Sequence, residues 1–328
     1  MKKLINNIDD IVTEMAQGIA ISSNGKIKKI SDYNVLVRTD CDPNKVAVIS
    51  GGGSGHEPAH AGYVGKGMLS GAVCGEVFTS PTPDAVFEAI KACGSKKGTL
   101  LVVKNYTGDQ INFQVAAEMA NEEGFKTERV IVNDDVALAH TTTATGRRGI
   151  CGTIFVHKIA GAAAEKGLEL EEVKRIAEKT IANIATMGLG LGACTVPAAG
   201  KPGFTLGENE IEMGLGIHGE PGVRRETLRP VKELVAEIIG VISKELNITS
   251  GQKVAVIVNG MGATPLMELY IAAKNAKEEL DKLGVNISLF KTGNYMTAID
   301  MPGMSISICK LDDELEELLK ASQETLAW

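Results

Sequence analysis

Basic residues are in the minority in this chain. Lys and Arg total 34 against 41 Asp and Glu, which gives a formal charge of −7 over 328 residues and a pI near 5.4. That balance argues against a general binder of the phosphate backbone, which needs cations clustered on one face, so no direct nucleic-acid partner is expected. Long apolar runs are missing too: no stretch reaches the ~18 residues a membrane span requires. The opening Met1-Lys-Lys-Leu-Ile-Asn-Asn-Ile-Asp-Asp10 interrupts its apolar positions with amides and acids before a signal-peptide core can form, so the expected location is the cytoplasm. The six cysteines, Cys41, Cys74, Cys93, Cys151, Cys194 and Cys309, include no C-x-x-C pair and no cluster at metal-ligand spacing, and they read as reduced, mostly structural thiols. With 44% hydrophobic and 23% charged residues, the remaining composition is that of a globular protein with a sizeable core. The length allows two domains.

Strand-like and helix-like segments alternate along the chain, the pattern of an α/β fold with largely parallel or mixed sheets. An amphipathic helix is expected over 9–21, followed by a polar loop and a buried strand at 46–50. The glycines that come next, Gly51, Gly52, Gly53 and Gly55, predict a sharp turn with exposed amides. Further strands are expected at 68–78, 99–103 and 129–133, with helices over 84–92, 110–123, 153–166 and 170–187. Beyond Gly188 the texture becomes glycine-rich and strand-prone through 192–196 and 211–218. The domain boundary is placed there, giving domains of 1–187 and 188–328. Helices over 230–246 and 265–283, strands at 254–258, 285–290 and 304–309, and a closing helix from Asp312 complete the expectation.

Ligands of parallel sheets gather beyond the carboxyl ends of the strands, and His56 and Asp109 each follow such an end. Asp109 could equally cap the helix it precedes. His56-Glu-Pro-Ala-His60 matches the H-E-x-x-H pattern of zinc peptidases, but that chemistry needs both histidines one turn apart on a regular helix. Pro58 and the preceding glycines oppose such a helix, so no metal site is expected. The glycine run also lacks the Gly-Lys-Ser/Thr of a phosphate loop and suggests only close backbone contact with something small. His218, set among glycines in Gly214-Leu-Gly-Ile-His-Gly-Glu-Pro-Gly222, echoes Gly55-His56-Glu57-Pro58 and has the small neighbours of an accessible side chain. His140 and His157 lack such surroundings and read as ordinary polar positions. Arg147 and Arg148 suit either an anion or salt bridges that pin their loop. The glycine-bearing turns at 258–265 and 291–300 are candidates for shaping a dimer or domain interface.

Six motifs in order, Gly51-Gly-Gly-Ser-Gly-His-Glu-Pro58, Lys104-Asn-Tyr-Thr-Gly-Asp109, Gly146-Arg-Arg-Gly149, Gly192-Ala-Cys-Thr-Val-Pro197, Gly216-Ile-His-Gly-Glu-Pro-Gly222 and Gly262-Ala-Thr-Pro265, resemble the substrate-binding subunits of the dihydroxyacetone kinase family. The resemblance spans the chain. It implies two α/β domains, a homodimer, and covalent binding of dihydroxyacetone. It also implies that His218 is the hemiaminal-forming residue and that His56 and Asp109 are an acid/base pair, with Gly53, Ser54, Gly55 and Lys104 in the substrate site. No cofactor is expected on this chain; the nucleotide, ADP or ATP with magnesium, would sit on the partner subunit DhaL, which DhaM rephosphorylates. One departure stands out: 137–145, Ala-Leu-Ala-His-Thr-Thr-Thr-Ala-Thr, differs from the Ser-Leu-Tyr-Thr common in the family. DhaQ paralogues of the same family keep the ketone site but serve a transcription regulator, and this is the alternative function.

Overall fold

The computed structural model describes residues 2–30, 32–138 and 146–328; His140 and the rest of 139–145, on which the motif departure falls, lie outside the described residues. The chain divides into two compact units. The first comprises Lys2–Val132, Ile154–Ile181 and Glu317–Trp328, and the second comprises Asn133–Thr153 and Ala182–Glu316.

In the first unit, six strands, β1 (Ile27–Lys29), β2 (Val35–Arg38), β3 (Ala47–Ser54), β4 (Gly71–Val77), β5 (Thr99–Lys104) and β6 (Thr127–Val132), form a sheet in the order β1-β2-β4-β3-β5-β6. β3 runs parallel to β4 and β5, and β5 parallel to β6, while β2 is antiparallel to both β1 and β4. The helices are α1 (Ile11–Ser22), α2 (Pro83–Cys93), α3 (Thr107–Glu122), α4 (Thr153–Glu165) and α5 (Leu170–Ile181). Ala47, Ile49, Leu101 and Val103 pack with Val86 and Ile90 of α2 and Phe113 and Ala117 of α3. Successive strand residues face opposite ways, yet Val48, Leu100 and Val102 are fully buried as well. Both faces are therefore covered, which is why these strands read as unbroken apolar runs. α2 starts where its sequence asks: Thr82 Oγ1 accepts from the Ala85 amide at 3.4 Å, Pro83 takes the first turn, and Gly94, at φ +58°, closes the end. α5 buries Leu170, Val173, Ile176, Ala177 and Thr180, one stripe at helical spacing.

The glycine run does not turn. Gly51, Gly52 and Gly53 continue β3, paired with Val73, Cys74 and Gly75, and the strand ends at Ser54. Glycine is needed there for space. A Cβ on Gly51 would lie 2.4 Å from the Val73 carbonyl oxygen, and one on Gly53 would lie 2.5 Å from the Thr79 nitrogen.

The second unit holds β7 (Ile184–Gly190), β8 (Glu210–Met213), β9 (Arg224–Thr227), β10 (Lys253–Gly260), β11 (Asn286–Gly293) and β12 (Gly303–Leu311), in the order β11-β10-β12-β7-β8-β9. Only β10 and β11 are parallel; every other pair in this sheet is antiparallel. Helices α6 (Val231–Glu245) and α7 (Leu266–Lys282) cover one face, with Leu234, Ile238, Leu269 and Ala276 set against Val254, Val256, Ile306 and Ile308. On the strands' other face lie small polar groups in closed pairs. Thr186 Oγ1 donates to Ser307 Oγ at 2.7 Å, and Asn259 Nδ2 donates to Ser305 Oγ at 3.1 Å, so these buried groups are hydrogen-bonded. Asn259 Oδ1 also accepts the Tyr295 and Met296 amides, tying the end of β10 to the turn after β11. The last helix is α8 (Asp313–Lys320).

Several expectations shift. The helix expected to 187 ends at Ile181 and its tail is β7; 192–196 is not a strand; and β1, β2 and β9 had no sequence signal. The largely parallel arrangement holds within β3 to β6 but not in the second unit. There β12 follows β11 through a loop and pairs antiparallel with β10, a return that needs no crossover helix. The expected boundary at 187/188 falls inside β7, because the chain passes between the units more than once.

Candidate functional site

In the first unit the sequence-expected residues collect at the carboxyl end of β3 and β5. Lys104 ends β5 and is fully buried; Asp109 lies in the first turn of α3 and is 4% exposed. A Cβ on Gly52 would meet Lys104 Nζ at 3.1 Å and Asp109 Oδ2 at 3.6 Å, so the ammonium and the carboxylate share the space over this glycine. Lys104 Nζ also lies 5.4 Å from the centre of the Tyr106 ring, within cation–π range.

His56 follows β3 in an irregular turn and is fully buried, its ring stacked on Phe78 with centroids 5.1 Å apart and planes 18° apart. Residues 78–81 are clasped from two sides. Gly53 lies against the backbone of Phe78 and Thr79, Gly108 of α3 lies against Ser80 Oγ, and Asn112 Nδ2 donates to the Pro81 carbonyl at 2.8 Å. The zinc-peptidase premise fails on geometry, since His56, Glu57 and His60 are not on a helix. Instead Glu57 accepts the Gly55 amide at 3.1 and 3.0 Å, and burial pushes its carboxyl above the ordinary range.

His60 sits behind this cluster. Its Nδ1 lies 2.8 Å from Nε2 of His157, and both rings are buried. Burial, reinforced by the Lys104 charge, lowers His157 to about 3 and holds His60 well below its usual value, so the pair is neutral. His157 is thus an interior residue, not the ordinary polar position its sequence suggested.

In the second unit His218 lies in the loop after β8, 19% exposed in its side chain. Glu220 grips it twice: Oε1 lies 2.7 Å from the ring Nδ1, and Oε2 accepts the His218 amide at 2.9 Å. Burial alone would raise the Glu220 carboxyl, but the ring and amide of His218 outweigh it and bring it down to about 2. Glu220 therefore stays ionised. A carboxylate can only accept at Nδ1, which fixes the proton there and puts the ring's lone pair on Nε2. The loop is shaped from behind by Arg148, which pairs with Asp135 at 2.6 Å and donates to the Gly214 carbonyl at 2.7 Å. A Cβ on Gly216 would meet Glu220 Oε2 at 2.0 Å and Arg148 Nη1 at 2.5 Å. Arg148 therefore pins its loop, as Arg147 does with Glu245 at 2.8 Å.

Sequence reasoning passed over Phe78 and Glu220. Nothing in the sequence marks Phe78. Glu220 had a signal: in both His56-Glu57 and His218-Gly219-Glu220 a glutamate accepts the amide two residues before it.

Known proteins resemble this chain along its length. The Dak1 domain matches residues 17–327. The chain is 51% identical to "PTS-dependent dihydroxyacetone kinase 1, dihydroxyacetone-binding subunit DhaK" of Listeria innocua, over all of both chains. It is 48% identical to the corresponding DhaK subunit of Lactococcus lactis, covering all of this chain and 99% of that one. Among solved structures it is similar to the dihydroxyacetone kinase operon co-activator DhaQ, with a TM-score of 0.92 and 33% identity over 98% of this chain and 99% of that chain. The domain match and relatives about half identical along their full length agree, and the chain belongs to the dihydroxyacetone kinase family.

Proposed function

We propose that this chain is the dihydroxyacetone-binding subunit of a phosphotransferase-system-dependent dihydroxyacetone kinase, and that it holds its substrate covalently on His218. The observation that carries this is the 2.7 Å contact between Glu220 Oε1 and His218 Nδ1. It leaves Nε2 as the nucleophilic nitrogen and sets a carboxylate behind the ring to meet the positive charge that attack creates. Nε2 adds to the C2 carbonyl of dihydroxyacetone, and the carbonyl electron pair moves to oxygen, which takes a proton from His56. The product is a hemiaminal. Asp109 accepts the proton of the terminal hydroxyl, raising its nucleophilicity toward phosphorus. Lys104 and the backbone of Gly53, Ser54 and Gly55 hold the substrate's hydroxyl groups. Covalent capture selects short ketones over glycerol, which has no carbonyl to attack.

The phosphoryl group comes from the nucleotide of a partner subunit, DhaL, recharged by DhaM, and positioning at that encounter supplies most of the catalysis. The expected form of this chain is a homodimer. Intact mass under rapid-quench, non-denaturing conditions should rise by one dihydroxyacetone, and His218→Ala should abolish the gain; an adduct retained in that variant would show the nucleophile to be another residue. Turnover to dihydroxyacetone phosphate on adding purified DhaL and DhaM tests the kinase role. The likeness to DhaQ supports one other reading, a ketone-sensing co-activator of a transcription regulator, whose signature is ketone capture without turnover. The higher identity to the kinase subunits favours the first.

A further inference from the structure

Away from this chemistry, two of the six cysteines meet. Cys41 lies in the loop after β2 and is half-buried, while Cys93 is the last residue of α2 and is buried. Both residues face the same small space. Both reach the start of β4: Cys41 Sγ lies 3.9 Å from the Ser70 carbonyl oxygen, and Cys93 Sγ is 3.4 Å from where a Cβ on Gly71 would be. Together with Arg38, Lys45 and Ser70 the two sulfurs line a cavity of about 20 Å³. That is room for one molecule near the size of water. Hydrogen peroxide fits such a space, and a tripeptide disulfide does not.

We propose that Cys41 and Cys93 form a hydroperoxide-reactive thiol pair, in which Cys41 takes the oxidant and Cys93 closes a disulfide. The environment divides these roles. The neighbouring Cys93 thiol holds Cys41 below the usual thiol range against the effect of burial, with Arg38 and Lys28 adding to it and Asp40 opposing. The neighbouring Cys41 thiol and burial push Cys93 up, and Cys93 is the buried one of the two, so Cys41 is the thiol an oxidant reaches first. Burial, with the Glu57 charge adding to it, pushes Cys74 up to about 12, and burial with a nearby acid raises Cys151 and Cys309 too.

In the first step the Cys41 thiolate attacks one peroxide oxygen. The O–O bond breaks, hydroxide leaves, and Cys41 becomes a sulfenic acid. The Cys93 sulfur then attacks the Cys41 sulfur; the S–S bond forms, the S–O bond breaks, and the departing hydroxide takes the Cys93 proton as water. Two thiols and one peroxide give one disulfide and two waters, the peroxide being reduced by two electrons.

The test is graded hydrogen peroxide on the intact protein, followed by alkylation, intact mass and peptide mapping. The expected result is loss of two hydrogens, a Cys41–Cys93 crosslink reversed by dithiothreitol, and Cys41 oxidation at least about tenfold faster than that of Cys74. Cys93→Ser should leave Cys41 as a sulfenic acid trapped by dimedone. Because that variant changes a buried position, alkylation of the wild type is the second readout: iodoacetamide should label Cys41 first and thereby block the crosslink. Oxidised glutathione should act more slowly than peroxide at equal concentration. Cys41 oxidising no faster than Cys74, or a crosslink between other cysteines, would overturn the proposal.

Discussion

Glu220 decides what His218 can do. Without a carboxylate at Nδ1 the imidazole can carry its proton on either nitrogen, and the tautomer with Nε2 protonated cannot attack a carbonyl. Glu220→Gln keeps the shape and removes the charge, and the rate of ketone adduct formation should fall by about 10–100-fold, the range typical of lost partners behind a reactive imidazole. Trapping kinetics by mass spectrometry measure it. The substitution has a stability signature as well. The folded Glu220 carboxyl titrates near 2, below the 4.5 of the ordinary side chain, so its stabilising contribution is present above 4.5 and is lost as pH falls toward 2. The stability difference between wild type and Glu220→Gln should therefore be full at neutral pH and shrink across that acid window; a constant difference would count against the Glu220–His218 hydrogen bond. His56, Asp109 and His218 stand out as candidates because each follows a buried strand or lies among glycines, whereas Lys104 becomes a candidate only through the family resemblance. Glu220 stood in the motif of His218 but acts through a turn at Gly219, whose φ of +81° no composition reveals.

Glycines at the scale of elements show why local propensity misleads. Glycine weakens a helix by about 1 kcal/mol relative to alanine, so replacing it should help wherever there is room. Gly240 in α6 has nothing within 4 Å of its would-be Cβ, whereas Gly161 in α4 has the Met68 carbonyl oxygen at 2.3 Å. Gly240→Ala should raise stability by about 0.5–1 kcal/mol. Gly161→Ala should lower it by about 1–3 kcal/mol, because backbone must move to admit the methyl group. Denaturant midpoints of the two variants test the contrast, and equal signs would contradict the packing described for α4. The same reasoning explains the glycine run in β3. Glycine's low strand propensity argued for a turn, but close approach of β4 and of residues 78–81 leaves no space for anything larger. Among the legible strands, β3 before its glycines, β5 and β10 are apolar runs buried on both faces. β1 (Ile-Lys-Lys) and β9 (Arg-Arg-Glu-Thr) are short and polar at sheet edges, and their pairing partner, not their composition, makes them strands.

The whole molecule should respond to acid through His60 and His157. Both are held neutral by burial, so as pH drops below about 6.5 the unfolded chain takes up protons that the native pair refuses, His157 down to about 3. Stability should be greatest above 6.5 and decline between 6.5 and 3, and each such histidine steepens the fall by about 1.4 kcal/mol per pH unit. Chemical denaturation of His157→Gln at several pH values should give a shallower decline than wild type; parallel curves would mean that the pair does not titrate on unfolding. The alternation of strands and helices announced an α/β protein. It could not announce that 154–181 and 317–328 rejoin the first unit, because such returns are set by tertiary packing that leaves no mark on local sequence. Glu317–Trp328 lies across residues already laid down near the start: Glu324 bridges Lys66, and its carbonyl oxygen would lie 1.9 Å from a Cβ on Gly65. A ribosome delivers residue 65 long before residue 324. Although the first unit holds the earlier-made sheet, its last piece is made after the whole of the second unit's sheet, so the first unit completes its packing only once 317–328 has emerged.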